Sequence, residues 1–298
     1  MTEDTIYAVS RRDDLVAIAM EPRSNVAEQR RLSPLAELEI AVRKREFIVH
    51  YQPIVELKTG ICVGAEALVR WRRPDGTLVR PDLFIPLAEE SGLIMPITDQ
   101  VIDAVIADLR KVLVEDRTLH IAINLCADDI KSGRVLAVIA SKLQHTDIRP
   151  EQIWLEATER GFIDINAAKV TLAEARQRGH SVAIDDFGTG YSSLQYLQGL
   201  PLDALKIDKS FVDTVGKDTA TSSVTSHIIG MAKALGLFTV AEGIEAEDQR
   251  DYLEGQGVDF GQGWLFAKAL PASEFLAYHR HTKQKYGASP EIIKAAGK

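Results

Sequence analysis

Two cysteines in 298 residues leave little scope for thiol chemistry. Cys62 and Cys126 each lie inside an apolar run with no CxxC or Cys/His spacing beside them, which excludes a disulfide framework and a zinc site as organising principles. Both read as reduced core thiols. Long hydrophobic runs are also missing: nothing approaches the ~20 apolar residues a membrane helix needs, and the opening MTEDTIYAVSRRDDL lacks the basic-then-apolar order of an export signal. The expectation is a soluble, cytoplasmic chain with no membrane segment. Basic charge is scarce as well, with 35 Lys and Arg against 43 Asp and Glu and a formal net charge of −8, which argues against binding polymeric nucleic acid through a basic surface. A small phosphorylated ligand is not excluded, because metal ions can supply positive charge locally.

What is present is a globular composition, 46% hydrophobic and 26% charged, at a length one α/β barrel can fill. Short apolar runs end repeatedly in a residue able to hold a metal or a phosphate. These are Gln52 in HYQPIV, Glu66 in GAEALV, Asn124 in IAINL, Glu156 in IWLEAT, Asp185 and Asp186 in VAIDDF, Lys206 in ALKID, Glu242 in FTVAEG and Gln262 in FGQGWLF. Helical patterns such as INAAKVTLAEARQRG and TSSVTSHIIGMAKALG separate the later runs, so those strands should be parallel with right-handed crossovers. The first two, EFIVHYQPIVEL and ICVGAEALVRW, are joined only by Lys58, Thr59 and Gly60. So short a turn joins antiparallel neighbours, since a parallel crossover takes a dozen or more residues. The expected fold is α/β, a TIM-like (β/α)8 barrel whose first strand is antiparallel.

Residues 1–32 read as an N-terminal extension or linker, 33–282 as the catalytic-size domain and 283–298 as a polar tail. Ser33 is placed to cap the first helix, and Gly179 and Gly236 to end two later ones.

In such a barrel the C-terminal strand ends converge on one face, where active sites are built. Glu66, Glu156, Asp185, Asp186 and Glu242 bring five negative charges there, and Lys206 returns one. The excess calls for divalent cations, without which some carboxylates would take up protons. Carboxylates with a carboxamide, and no Cys or His, form a hard oxygen site suited to Mg²⁺ or Mn²⁺ rather than zinc. The adjacent Asp185-Asp186 pair suits two neighbouring ions, a standard device for hydrolysis at phosphorus. A lone acidic residue at a strand end more often caps a helix or anchors a loop, and Asp208 and Glu245 stand on that boundary. Asp186-Phe187-Gly188 spells a kinase triplet, but the other kinase elements are missing, and GTGYSS lacks the lysine of a P-loop.

At these residues the chain resembles the EAL-domain family of cyclic di-GMP phosphodiesterases. The matching motifs, in family order from about residue 33 to 280, are YQPIV, EALVRW, FIPLAEESG, INL, LEATE, DDFGTGYSSLQYL, LKIDKSFV, AEGIE and GQGWLF. The resemblance implies a two-metal hydrolysis of cyclic di-GMP to linear pGpG, lowering this bacterial second messenger. It implies that Glu66, Asn124, Glu156 and Asp185 hold one Mg²⁺ or Mn²⁺, and Asp185, Asp186 and Glu242 the second. Lys206 would polarise the attacking water, Gln262 would support that water or a phosphate, and Gln52, Leu68 and Arg70 would contact substrate. Glu159 would steady the DDFGTGYSS loop, which in the family links the metal site to a homodimer interface. Two departures, Cys126 where serine is commoner and Ala269 where many members carry proline, touch no implied ligand. The alternative from another class is a receptor that binds cyclic di-GMP without cutting it.

Overall fold

The structure is a computed structural model and describes residues 32–158, 164–188, 199–216 and 220–287. Helix α1 (Pro34–Lys44) is capped by Ser33, whose hydroxyl accepts from the Ala36 amide, as its sequence predicts. Strands β1 (Phe47–Glu56) and β2 (Cys62–Arg72) follow as the expected antiparallel pair. A two-residue strand, β3 (Leu78–Val79), hairpins back onto the end of β2, and α2 (Pro81–Glu90) and α3 (Ile94–Glu115) cross to β4 (His120–Leu125). Then come α4 (Ala127–Ser132), α5 (Arg134–Leu143), β5 (Ile153–Thr158), α6 (Ile165–Gln177), β6 (Val182–Phe187), β7 (Ala204–Ile207) and α7 (Lys209–Val212). The chain closes through α8 (Ala220–Ala234), β8 (Phe238–Ala241), α9 (Glu247–Gly255), β9 (Phe260–Gly261) and α10 (Ala272–Tyr286).

β1, β2 and β4 to β9 form a closed eight-stranded barrel, with β1 antiparallel to both β2 and β9 and the other barrel neighbours parallel. The fold expected from the sequence is therefore the fold observed. Gly179 and Gly236, expected helix stops, have φ values of 98° and 69°. Two details differ. β9 pairs over two residues, although FGQGWLF reads as a longer strand. α10 runs to Tyr286, past the expected domain edge at 282, and Lys283 pairs there with Asp116.

Alternation along each strand sends every second side chain into the barrel. Ile121, Ile123, Leu155, Ile184, Leu205 and Ile207 are buried in the main core with the surrounding helices. Their neighbours Ala122, Trp154, Ala183 and Ala204 form one interior cluster, and Ile54, Val240 and Phe260 join a second. Beneath them His120 stacks on Trp154 at 4.1 Å and lies over Gly64, where a Cβ would come within 2.5 Å of its Nε2. The floor is thus closed and almost wholly apolar. Two residues further along come Asn124, Glu156, Asp185 and Lys206 on β4 to β7, and Glu242 and Gln262 just past β8 and β9, the polar layer above that floor.

Candidate active site

Lys206 on β7 is the centre of this layer. Its Nζ lies 2.6 Å from Glu242 Oε1, 2.8 Å from Glu156 Oε2, 3.1 Å from Asp185 Oδ2 and 3.3 Å from Glu66 Oε2. An ammonium has three hydrogens and one charge, so it cannot satisfy four carboxylates. Amides complete the network. Gln262 Nε2 donates to Glu66 Oε2 at 2.8 Å and to Glu242 Oε1 at 3.1 Å, and Asn124 Nδ2 donates to Glu66 Oε1 at 2.7 Å. Register places these partners level: Asn124 pairs with Glu156 across β4 and β5, and Gln52 with Glu66 across β1 and β2.

Burial and mutual repulsion divide the carboxylates by protonation. Burial is the main influence on Glu156, reinforced by the charges of Glu66 and Asp185, and it holds the carboxyl well above the ordinary range despite Lys206. Glu242 is pushed up to about 8 by burial, again with Asp185 and Glu66 adding and Lys206 opposing. On Glu66 burial also acts upward, but Lys206 and the bonds from Gln262 and Asn124 outweigh it and keep the group below its usual value. Burial alone would depress Lys206; four carboxylates reverse that and hold it well above the usual lysine value. The layer thus contains acids primed to lose protons to an incoming cation.

The Asp185-Asp186 step carries its own backbone device. Pairing between β6 and β7 slips between Ile184 and Phe187, where two residues on β6, Asp185 and Asp186, oppose the single Lys206 on β7, which is a bulge. Asp186 has φ 55°, is exposed, and its amide donates to Asp185 Oδ1 at 2.8 Å. The bulge lets Asp185 turn into the buried layer while its neighbour stays at the rim.

Ligand atoms of Glu66, Glu156 and Asp185 lie within 4.8 Å of one another, and Gln262 Oε1 is buried without a hydrogen-bond partner. This all-oxygen set fits a hard divalent cation. Beside it, Leu68, Arg70, Asn124, Cys126 and Thr158 help line a largely apolar cavity of about 240 Å³ against α2 and α3. Arg70 folds back there, donating from Nη1 to the Val69 carbonyl at 2.8 Å. Gln52, level with Glu66 on the neighbouring strand, has its Nε2 3.5 Å from the Ala267 carbonyl. Glu159 and residues 189–198 of the DDFGTGYSSLQYL loop lie outside the described residues. Asp208 caps α7 by accepting from the Ser210 amide, and Glu245 pairs with Lys209, so both anchor loops. Sequence reading missed Lys209 and Gln249, whose contacts cross between loops far apart in the chain; the i,i+4 spacing of Lys209 to Asp213 was the only local signal.

Residues 35–269 match the EAL domain. This chain belongs to the EAL-domain family. It is 46% identical over 246 residues to the probable cyclic di-GMP phosphodiesterase PdeB of Escherichia coli (strain K12), covering 83% of this chain and 47% of that protein. It is 39% identical over 251 residues to the cyclic di-GMP phosphodiesterase PA2567 of Pseudomonas aeruginosa, covering 84% of this chain and 43% of that protein. The solved PaMucR phosphodiesterase, in its cyclic di-GMP complex, superposes with a TM-score of 0.77 at 36% identity, over 82% of this chain and 100% of that one. The EAL domain here thus spans less than half the length of these curated relatives. No helix among the described residues is long and apolar enough to cross a membrane.

Proposed function

We propose that the domain, residues 33–282 with the rest of α10, hydrolyses cyclic di-GMP to linear pGpG. The observation that carries this is the convergence of Glu66, Glu156, Asp185 and Glu242 on Lys206 at the mouth of the barrel. Glu66, Asn124, Glu156 and Asp185 would hold one Mg²⁺ or Mn²⁺, and Asp185, Asp186 and Glu242 a second. When bound, such ions supply Lewis-acid polarisation of phosphoryl oxygens and activation of water.

The chain's own groups do the rest. Lys206, kept charged by its carboxylates, donates to the incoming water and to charge developing on the phosphate oxygens. Gln262 and Asn124 fix the rotamer of Glu66, and Gln262 also holds Glu242. Arg70 suits a non-bridging phosphate oxygen, while Leu68 and Gln52 contact the substrate. The water oxygen joins phosphorus, the P–O3′ bond breaks, and the 3′-hydroxyl leaves with the proton. The apolar floor keeps solvent from reaching the layer from below. Glu159 would steady the loop after Asp186 and relay a homodimer contact, in a cytoplasmic setting.

The test is incubation of EDTA-treated protein with cyclic di-GMP, with and without Mg²⁺ or Mn²⁺, and chromatography of the products. Metal-dependent pGpG is expected. Binding with no product under either metal would overturn hydrolysis in favour of a receptor.

A further inference from the structure

α7 is one turn long, yet it is tied to both sides of the acidic layer. On one side is the turn that follows Glu242. Gly243 has φ 65°, and a Cβ built there would lie 2.5 Å from Lys209 Cγ and 2.7 Å from its Cβ and Cδ, so the lysine stem occupies the space a side chain would need. Lys209 Nζ then reaches Glu245 Oε1 at 3.0 Å and Asp213 Oδ1 at 2.8 Å. A second tie is independent of the first. Gln249 Oε1 accepts from the amides of Glu245 at 2.8 Å and Ala246 at 3.1 Å, and its Nε2 donates to the Val212 carbonyl at 3.4 Å, binding the same turn to the other end of α7.

On the other side is the bulge that carries Asp185 and Asp186. Gly188, φ 92°, ends this segment, and a Cβ there would lie 2.9 Å from Phe211 Cζ. The ring of Phe211 is therefore seated directly on the backbone two residues beyond Asp186. Its carbonyl accepts from Thr214 Oγ1 at 2.9 Å and Thr225 Oγ1 at 3.2 Å, which fixes α7 against α8.

We infer that α7 is a strut that sets the distance between the Asp185-Asp186 bulge and Glu242, with Lys209 and Phe211 as positioning residues for the divalent-cation site. The inference rests on the metal-dependent reading above. The ion pairs of Lys209 are half-exposed and contribute little by themselves. The packed stem and the seated ring do the positioning. Displacing a carboxylate by a fraction of an ångström weakens a two-ion site more than it weakens the fold, because metal ligation is far more demanding of geometry than apolar contact is.

The test is Mn²⁺ binding to EDTA-treated protein without substrate, read by electron paramagnetic resonance, on wild type, Lys209→Ala, Lys209→Met, Phe211→Ala and the Lys209→Ala/Phe211→Ala double variant. Urea unfolding of each is measured in parallel. Lys209→Ala should weaken Mn²⁺ binding about tenfold, the lower end of what lost outer partners cost a metal site. Lys209→Met keeps the stem and should stay within about threefold. The double variant should lose less than the product of the two single losses, because a strut broken at one end no longer transmits the other. Saturating Mn²⁺ should restore most of kcat to Lys209→Ala. Wild-type Mn²⁺ affinity in Lys209→Ala, or fully multiplicative losses, overturns the strut while leaving the phosphodiesterase reading intact. Failure of wild type to bind Mn²⁺ overturns both.

Discussion

Removing divalent cations should make this protein less stable as pH rises from about 6.5 to 8, and restoring them should cancel the loss. The cause is the acid layer. Glu242 titrates at about 8 in the fold against an ordinary 4.5, so between those values the native state holds a proton that the unfolded state has released. Stability from such a group is present at low pH and falls as pH rises through the folded value. At about 1.36 kcal/mol per pKa unit, the loss from Glu242 alone between pH 6.5 and 8 is about 1.5 kcal/mol. Its side chain keeps 17% of its surface in solvent, which makes this an upper figure. Glu156, held well above its ordinary value by burial, acts in the same direction.

Among the described residues, the groups with an opposing shift act outside this window. His50, His120 and His180 are all pushed down by burial and act below 6.5, Glu66 is lowered and acts below 4.5, and Lys206 is raised above 10.5. Urea unfolding of EDTA-treated protein across the window, with and without Mg²⁺, measures the effect. Glu242→Gln should make the slope shallower. A metal-free stability that is level or rises with pH, or an unchanged slope in Glu242→Gln, would refute the protonation scheme. Calorimetric Mn²⁺ titrations in buffers of different ionisation enthalpy should show protons released on binding below pH 8.

Three further outcomes are expected. Glu66→Ala should lower the rate of pGpG formation by several orders of magnitude, because it removes the carboxylate that Asn124, Gln262 and Lys206 all hold; chromatography of product checks this, and a near-native rate excludes a ligand role. Gly64→Ala should destabilise the fold by about 1 to 3 kcal/mol in urea, since its Cβ would strike the buried His120 ring. His120 itself, pushed down to about 3 by burial, should make stability fall as pH drops from 6.5 toward 3, by at most about 5 kcal/mol. His120→Gln should shrink that acid loss in a pH series of unfolding midpoints.

Local patterns determined the architecture of this protein. Short apolar runs specify strands, the three residues Lys58, Thr59 and Gly60 between the first two runs force an antiparallel start, and Ser33, Gly179 and Gly236 set helix ends by rules that operate within a few residues. That Glu66, Asn124, Glu156, Asp185, Lys206, Glu242 and Gln262 would meet at one mouth was equally legible, because residues at the ends of neighbouring barrel strands converge on one face. What tertiary structure alone decided is how those residues divide the charge. Lys206 lies 140 positions from Glu66 and 50 from Glu156, and only closure of the barrel makes one ammonium the shared counter-ion of four carboxylates. The slip in pairing at Asp185, the short β9 and the seating of α7 on Gly188 and Gly243 have the same origin. They depend on the shape of a neighbour that the local sequence does not contain. Composition can say that carboxylates will meet; which of them stay charged follows from the apolar floor beneath and the distances between them.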